Sequence, residues 1–517
     1  MQTCPGKQMQ MHRLRRSPVV GCPKSAGPRL SASWGHNLHL HRSSTVAEPV
    51  LASAQGNPSK LPDVVSILRD RSLLQEVTSE DLKTVGCDQA LAVYCGFDPT
   101  ADSLHLGNLL GIMVLSWFQR CGHQPVALLG GATGRVGDPS GRSSERPILS
   151  EEEIEGNITA IGQQLSSILS RNSSAGASSS ENDSRSFPMQ DVKVLNNLDW
   201  FGPMSLLSFL REVGKFARVG TMIAKESVRT RMESEQGISF TEFTYQLLQG
   251  YDFVHLCREH GVRVQIGGSD QWGNILAGTD LIRRLLGRAD AGHQAQGQEG
   301  SAGGEAPSCF GLTFPLLVDS EGRKFGKSAG GAIWLSAAKL SPYKFYQYFF
   351  TVPDADVIKF LKMLTFIPLP ELAEMETAMR VPGYAPNTAQ RRLAEEVTRF
   401  VHGEEGLTQA LKATEALRPG AATTLDAATL QAVAADAPSA TLARQQVEGV
   451  TIAELLVTTG LQPSKGAARK LIKGGGVYIN NVKVAEELAL ITSSNLIDGS
   501  MLLLAAGKKN KMLIKIQ

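Results

Sequence analysis

The stretch from Leu91 to Arg120 constrains the fold more than any other part of the chain. Leu91-Ala-Val-Tyr-Cys95 is a short unbroken apolar run, as expected of a strand buried on both faces, and a Gly-Phe-Asp-Pro turn follows it. His105 to Arg120 then carries a helix-length apolar pattern, opened by His105-Leu-Gly-Asn108. A buried strand feeding a helix through a tight turn predicts one unit of a parallel sheet covered on both faces. Residues 125–129, 192–195 and 262–266 repeat the apolar run, each bounded by Gly, Asp or Asn. Residues 56–335 are therefore expected to form a doubly wound, Rossmann-like α/β domain.

At 517 residues the chain is too long for one ordinary core, and two to four folded units are expected. Two stretches break the α/β rhythm, one Ser/Asn-rich near 170–188 and one Gly/Ala/Gln-rich near 287–308; both read as surface insertions that need not pack. From Ser341-Pro342 the pattern turns helical. Leu393, Val397, Phe400 and Val401 fall on one face, with Gly403 as the stop and His402 as a structural cation at the helix's negative end. Residues 336–445 are expected to be an all-helical domain and 446–517 a small mixed α+β domain. From 450 onward nine Lys and Arg stand against four Asp and Glu, and Lys465, Arg469, Lys470 and Lys473 lie along one short helix. The net charge of +2 carries no nucleic-acid signature, so this helix is the expected RNA-contacting face.

No acid precedes Glu48, while Lys7, Arg13, Arg15, Arg16, Lys24, Arg29 and Arg42 do, among many Ser and His. Residues 1–55 are accordingly read as a mitochondrial or chloroplast transit peptide and linker. The seven cysteines form no Cys-x-x-Cys pair, which argues against a disulfide framework or a zinc site. No apolar run is long enough to cross a bilayer, and no membrane association is expected.

The carboxyl end of a first parallel strand beside a helix N-terminus is where such sheets bind phosphates, so a nucleotide site is expected around Tyr94 to Asn108. Neither the Walker nor the dinucleotide glycine motif occurs, and Gly130-Gly-Ala-Thr-Gly-Arg-Val-Gly-Asp138 has a different spacing. Lys324-Phe-Gly-Lys-Ser328 follows a polar turn, and two lysines on a loop suit neutralisation of a departing polyphosphate. Tyr245, Gln249 and Asp252 share a helical face among apolar neighbours. That face can line a polar pocket or serve as a buried hydrogen-bond network that fixes the helix.

His105 to Asn108 and Lys324 to Ser328 resemble the two signatures of class I aminoacyl-tRNA synthetases. Asn108 stands where the family has a second histidine, and Phe325-Gly326 replace Met-Ser. Tyr94 to Thr100, Gly130 to Gly141, Tyr245 to Phe253 and Gly267-Gly-Ser-Asp-Gln-Trp-Gly-Asn274 narrow the resemblance to bacterial-type tyrosyl-tRNA synthetases. The resemblance implies that Tyr94 and Asp252 meet the substrate phenol, with Asp98 and Gln265 bordering the pocket. Asp138, Tyr245 and Gln249 would hold the ammonium and Gln271 the carboxyl group. Cys95 and Asp270, with Gly96, Gly107 and Gly268, would border ATP, and Thr100, His105 and Asn108 its phosphates. Arg142 and Arg146 would join Lys324, Lys327 and Ser328 around pyrophosphate. The 464–470 and 476–480 segments resemble the small RNA-binding domain of ribosomal protein S-four.

The implied reaction is ATP-dependent activation of L-tyrosine followed by transfer to the cognate tRNA in organellar protein synthesis. No protein-bound cofactor or metal is expected, and magnesium would arrive with ATP. The family is homodimeric, with Phe240 near the expected contact. The rival readings are a tryptophanyl-tRNA synthetase and a non-catalytic RNA-binding factor on the same scaffold.

Overall fold

The computed structural model describes residues 60–517 except 142–143, 145, 147–148, 176–188, 288–306, 329–330, 419, 421–424, 426–429, 431–437 and 508–509. The expected transit peptide, Arg142 and most of both insertions thus lie outside the described residues. For Lys327 and Ser328 only the backbone is described.

Six strands make the first sheet: β1 (Glu76–Val77), β2 (Ala92–Phe97), β3 (Gln124–Leu129), β4 (Lys193–Asn196), β5 (Val262–Gly268) and β6 (Phe310–Phe314). Their order is β1-β6-β5-β2-β3-β4, parallel throughout except for β1, which runs antiparallel to β6. The chain lays β3 and β4 to one side of β2, then returns to place β5 and β6 on the other. The reversal between β2 and β5 opens a crevice at their carboxyl ends, where doubly wound sheets take their ligands. β1 and β6 were not legible as strands in the sequence.

The helix Leu106–Arg120 crosses the sheet with Leu106, Leu109, Ile112, Met113, Leu115 and Phe118 fully buried. A helix apolar on every side belongs inside, and each such side chain contributes about 1.5–3 kcal/mol. A methyl on Gly111 would sit 3.1 Å from the Cys95 sulfur and 3.5 Å from the Phe314 ring, so the glycine sets how closely this helix approaches β2 and β6.

The helices Pro342–Phe350, Asp354–Leu364, Leu369–Ala378 and Thr388–Ala416 form the helical region, and one apolar core runs from Val64 through the sheet to Ala410. Arg71 fastens the seam. It is buried, lies over the Trp117 ring at 4.2 Å, and donates to the carbonyls of Lys362, Thr365 and Ile367 just past a helix end. Orphan carbonyls at a helix C-terminus are the expected partners of a buried guanidinium.

The structure departs from the sequence expectations at three places. Gly403 interrupts rather than ends its helix: its φ of 75° breaks the backbone and a second helical segment restarts behind it, continuing to Ala416. His402 is not a surface cation at a helix end. Its ring meets Phe345 edge-on at 4.8 Å, and burial pushes its pKa down to about 4, so it is neutral. The first insertion begins later than its composition suggested, because the helix Glu151–Ala175 takes in Ser170, Arg171 and Asn172. Asn172 is buried, donating to Ser116 and Gln119.

The C-terminal sheet contains β9 (Ser439–Leu442), β10 (Val477–Ile479), β11 (Val482–Lys483), β12 (Met501–Ala506) and β13 (Asn510–Ile516), in the order β11-β10-β12-β13-β9. Its own core includes Leu455, Leu456, Ile472, Val477, Leu502 and Ile514. Arg469, Lys470 and Lys473 are exposed on the helix Lys465–Lys473, while Ala468 and Ile472 face inward. Lys465 is exposed on the same helix, and its ammonium pairs with Glu454 at 2.5 Å.

Candidate active site

A cavity of about 380 Å³ lies at the reversal between β2 and β5. Its wall contains Tyr94, Cys95, Gly96, Asp98, Thr100, His105, Gly107, Asn108, Asp138, Arg146, Tyr245, Gln249, Asp252, Gln265, Gly268, Asp270 and Gln271. Residues from four strand–helix units are thus gathered on one cleft, as the sheet order dictates. Lys324 is exposed and does not line the cavity.

The helix Phe240–His260 projects Tyr245, Gln249 and Asp252 from one face into this space. Asp252 is buried and accepts hydrogen bonds from Trp200 Nε1 at 2.9 Å and Asn197 Nδ2 at 3.0 Å. Burial nevertheless raises its pKa to about 8, the two donors opposing the shift without cancelling it. At neutral pH the side chain is mostly a protonated acid. Trp200 is itself stacked on His255 at 4.3 Å, which fixes the donor. Beside Asp252 stands Tyr94, packed on Phe253. The Tyr94 hydroxyl and the Gln265 carbonyl oxygen are buried without a hydrogen-bond partner among the described residues. Burying such groups unpaired costs about 1–3 kcal/mol each, so the pocket floor is set to receive polar atoms.

A second layer holds charge. Asp98 accepts from Thr133 Oγ1 and Tyr245 OH, each at 2.9 Å. Burial and the Asp138 charge raise its pKa, opposed by Arg146 and by these two donors. Asp138 accepts from the Ser140 amide at 2.9 Å and Gln271 Nε2 at 2.8 Å. Asn274 donates to Gln249 at 3.0 Å and accepts from Lys225 at 3.4 Å. Burial pushes the Lys225 ammonium down to about 8, with Asp138 opposing. Gly130 must stay a glycine, because a Cβ there would fall 2.2 Å from the Asp98 carboxylate.

The two signature segments meet in space. His105 caps the helix Leu106–Arg120, its Nδ1 accepting the Gly107 amide at 3.1 Å, and Asn108 Oδ1 accepts the His105 amide at 3.1 Å. This reciprocal cap explains locally why a neutral amide stands at 108. The Leu106 amide donates to Ile333 O at 2.8 Å, and Gly326 packs on Leu106. Lys327 and Ser328 form strand β7 (Lys327–Ser328), paired with β8 (Gly331–Ala332). Phe325 between the lysines is inserted among Tyr348, Phe349 and Phe360. The loop therefore leaves an anchored aromatic base beside the N-terminus of the helix Leu106–Arg120.

Sequence reading missed Asn197, Trp200, Thr133, Ser140, Lys225 and Asn274. Asn197 and Trp200 lie at the one-turn helix Leu198–Phe201, too short to leave a periodic signal, so only the fold reveals that they grip Asp252.

Residues 88–418 match the family described as tRNA synthetases class I (W and Y), and residues 429–514 match the Tyrosine–tRNA ligase SYY-like C-terminal domain. The chain is 56% identical over 458 residues to the chloroplastic/mitochondrial tyrosine–tRNA ligase of Arabidopsis thaliana, covering 88% of this chain and 84% of that one. It is 50% identical over 456 residues to the tyrosine–tRNA ligase of Protochlamydia amoebophila, covering 88% and 99%. Among solved structures it is similar to the C-terminally truncated mitochondrial tyrosyl-tRNA synthetase of Aspergillus nidulans, with a TM-score of 0.58 and 33% identity over 67% of this chain and 92% of that one.

Proposed function

Since the chain belongs to the tyrosine–tRNA ligases of the class I aminoacyl-tRNA synthetases, we propose that it charges tRNA-Tyr for protein synthesis in an organelle, mitochondrion, chloroplast or both. The observation that carries the choice of tyrosine is the unpaired, buried Tyr94 hydroxyl beside a protonated Asp252. A phenol entering there gains partners at both groups, whereas a phenyl ring gains none. Rejection of phenylalanine by tyrosyl-tRNA synthetases is the known case of this effect.

In this reading Asp138, Tyr245 and Gln249 hold the tyrosine ammonium and Gln271 orients its carboxylate toward ATP. A carboxylate oxygen forms a bond to the α-phosphorus as the bond to the β-phosphate oxygen breaks, giving tyrosyl-adenylate and pyrophosphate. The terminal ribose hydroxyl of the tRNA then attacks the adenylate carbonyl, and AMP leaves. Positioning and charge stabilisation carry the first step, with Thr100, His105 and Asn108 at the phosphates and Lys324, Lys327, Arg142 and Arg146 around the departing pyrophosphate. Magnesium comes with ATP in this scheme. The carboxylates of Asp98 and Asp138 are already engaged by donors, which suits an ion held by phosphates rather than by a protein cage.

The organellar assignment is supported by the acid-free leader and by the name of the Arabidopsis relative. A homodimer is supported by the exposed apolar side chains of Leu206, Leu207, Val219 and Phe240. Arg469, Lys470 and Lys473 would contact tRNA. Tyrosine-dependent ATP–pyrophosphate exchange by the purified protein tests the central claim; exchange stimulated by tryptophan and not by tyrosine would overturn it. A fluorescent fusion of residues 1–60 tests the destination, and exclusion from both organelles would remove the organellar reading.

A further inference from the structure

We propose that Cys257 and Cys309 form a redox-active dithiol that closes to a disulfide behind the amino-acid pocket and reopens by thiol–disulfide exchange. The two sulfurs are 3.4 Å apart although 52 positions separate them in the chain. A disulfide bond is about 2.05 Å long, so closure needs an approach of roughly 1.3 Å, within the reach of small side-chain rotations. Neither cysteine is explained by the aminoacylation chemistry.

The setting separates this pair from the buried cysteines Cys95 and Cys121. Cys257 lies near the end of the helix Phe240–His260, and Cys309 immediately precedes β6. Arg263 donates to the Ser308 carbonyl at 2.9 Å, holding the residue before Cys309. Cys257 is almost covered while Cys309 is half-buried, so an external reagent reaches the pair from the Cys309 side. The hydrogen bond between the thiols lowers the pKa of Cys257, with help from the Arg263 charge, and raises that of Cys309, while burial opposes ionisation of both, so the thiolate of the pair is that of Cys257. Burial instead pushes Cys95 and Cys121 up to about 12, which makes them inert.

The co-reactant is a disulfide, borne by a small molecule or by a second dithiol protein. The ionised sulfur of the pair attacks one sulfur of that disulfide, leaving a mixed disulfide and expelling a thiolate, which takes up the proton of the second cysteine. The second sulfur then attacks the protein sulfur of the mixed disulfide, forming the Cys257–Cys309 bond and expelling the other thiolate. Two cysteine thiols are oxidised and one external disulfide is reduced to two thiols.

The bond would tie together two parts of the pocket wall. Cys257 shares its helix with Tyr245, Gln249 and Asp252, and β6 pairs Gly311 with Gln265 of β5. Cys309 packs in the same apolar cluster as Tyr94 and lies within electrostatic reach of its phenol. Closure therefore acts on the side of the cavity that would read the substrate ring. A core-packed thiol hydrogen bond with no redox role is the competing account.

The full-length protein is equilibrated under native conditions with oxidised and reduced dithiothreitol at a series of ratios, quenched with N-ethylmaleimide, and mapped by mass spectrometry without reduction. We expect Cys257 and Cys309 to lose alkylation together, a linked peptide lighter by two hydrogens, and full reversal by reduced dithiothreitol. Cys309→Ser should abolish the linked peptide. Alkylation of Cys309 at every ratio, or an adduct on Cys309 without the link, overturns the proposal. The same samples are assayed for tyrosine KM in pyrophosphate exchange. A severalfold change confined to the oxidised parent is expected, and an unchanged KM in a fully linked sample overturns the coupling to the pocket while leaving the pocket assignment untouched.

Discussion

Tyr94→Phe isolates a single oxygen atom. The Tyr94 hydroxyl is buried and unpaired in the free protein, so removing it relieves a desolvation cost rather than breaking a bond. The variant should melt no lower than the parent. Binding of tyrosine is affected in the opposite sense, because a neutral hydrogen bond to the substrate phenol contributes about 0.5–1.5 kcal/mol net. That corresponds to a loss of roughly 2- to 13-fold in kcat/KM for tyrosine. Phenylalanine leaves the hydroxyl as unpaired as it was before, so its kcat/KM should hardly move. Discrimination then falls by the same factor as tyrosine turnover, with Asp252 supplying the remainder. The assay is pyrophosphate exchange with each amino acid, alongside a thermal melt. A lowered midpoint, or equal losses with tyrosine and phenylalanine, would show that the hydroxyl braces the fold and would refute the reasoning.

Asp252 titrates near pH 8 in the folded protein against about 3.8 in the unfolded chain. The stability gained from its proton is complete below about pH 4 and drains away as the pH climbs toward 8. Asp252→Asn should flatten the fall in melting temperature between pH 5 and 8, as read by calorimetry, and parallel slopes for parent and variant would contradict this. Arg231 and Glu242 form a fully buried two-point ion pair at 2.9 and 3.0 Å. Glu242→Ala takes the counter-charge from a buried guanidinium that keeps Ser234 Oγ as an acceptor and should cost about 3–5 kcal/mol in urea unfolding, whereas replacing both residues with apolar ones should recover most of the loss. A loss below about 1 kcal/mol from the single change would show that the pair is not isolated from water. Lys470→Ala with Lys473→Ala should weaken tRNA charging and reduce its salt slope by about 1.5, with pyrophosphate exchange unaltered. Lys465→Ala should do less, because Glu454 already matches that charge; equal effects at 465 and 470 would argue against a specific basic face.

What could be read from the sequence was whatever sits close together along it. The unit from β2 through the turn to the helix Leu106–Arg120 is contiguous, and its strand pattern, turn residues and helix opening agree. The spacing of Tyr245, Gln249 and Asp252 likewise reports one helical face. Reading failed where a partner comes from elsewhere in the chain. Asp252 has its donors in Asn197 and Trp200, more than fifty residues upstream. His402 was judged by its position at a helix end, yet Phe345 from another helix covers it and burial outweighs the helix field. Lys465 belongs to a basic run by composition, and its ion pair with Glu454 on the preceding helix is visible only in the fold. β1, two residues long, owes its existence to pairing with β6.

The shared core across the seam bears on how the chain could be recombined. Arg71 reaches from the segment ahead of the sheet into the helical region, and Phe325 from the lysine loop is embedded among that region's aromatic rings. A crossover placed between sheet and helices would leave a cation without acceptors on one parent and an aromatic hole in the other. The C-terminal sheet carries a core of its own on one face, but Met501, Leu503 and Leu513 on the other pack with Ala413, Ala416 and Leu417, so a graft between relatives must match the end of the long helix as well.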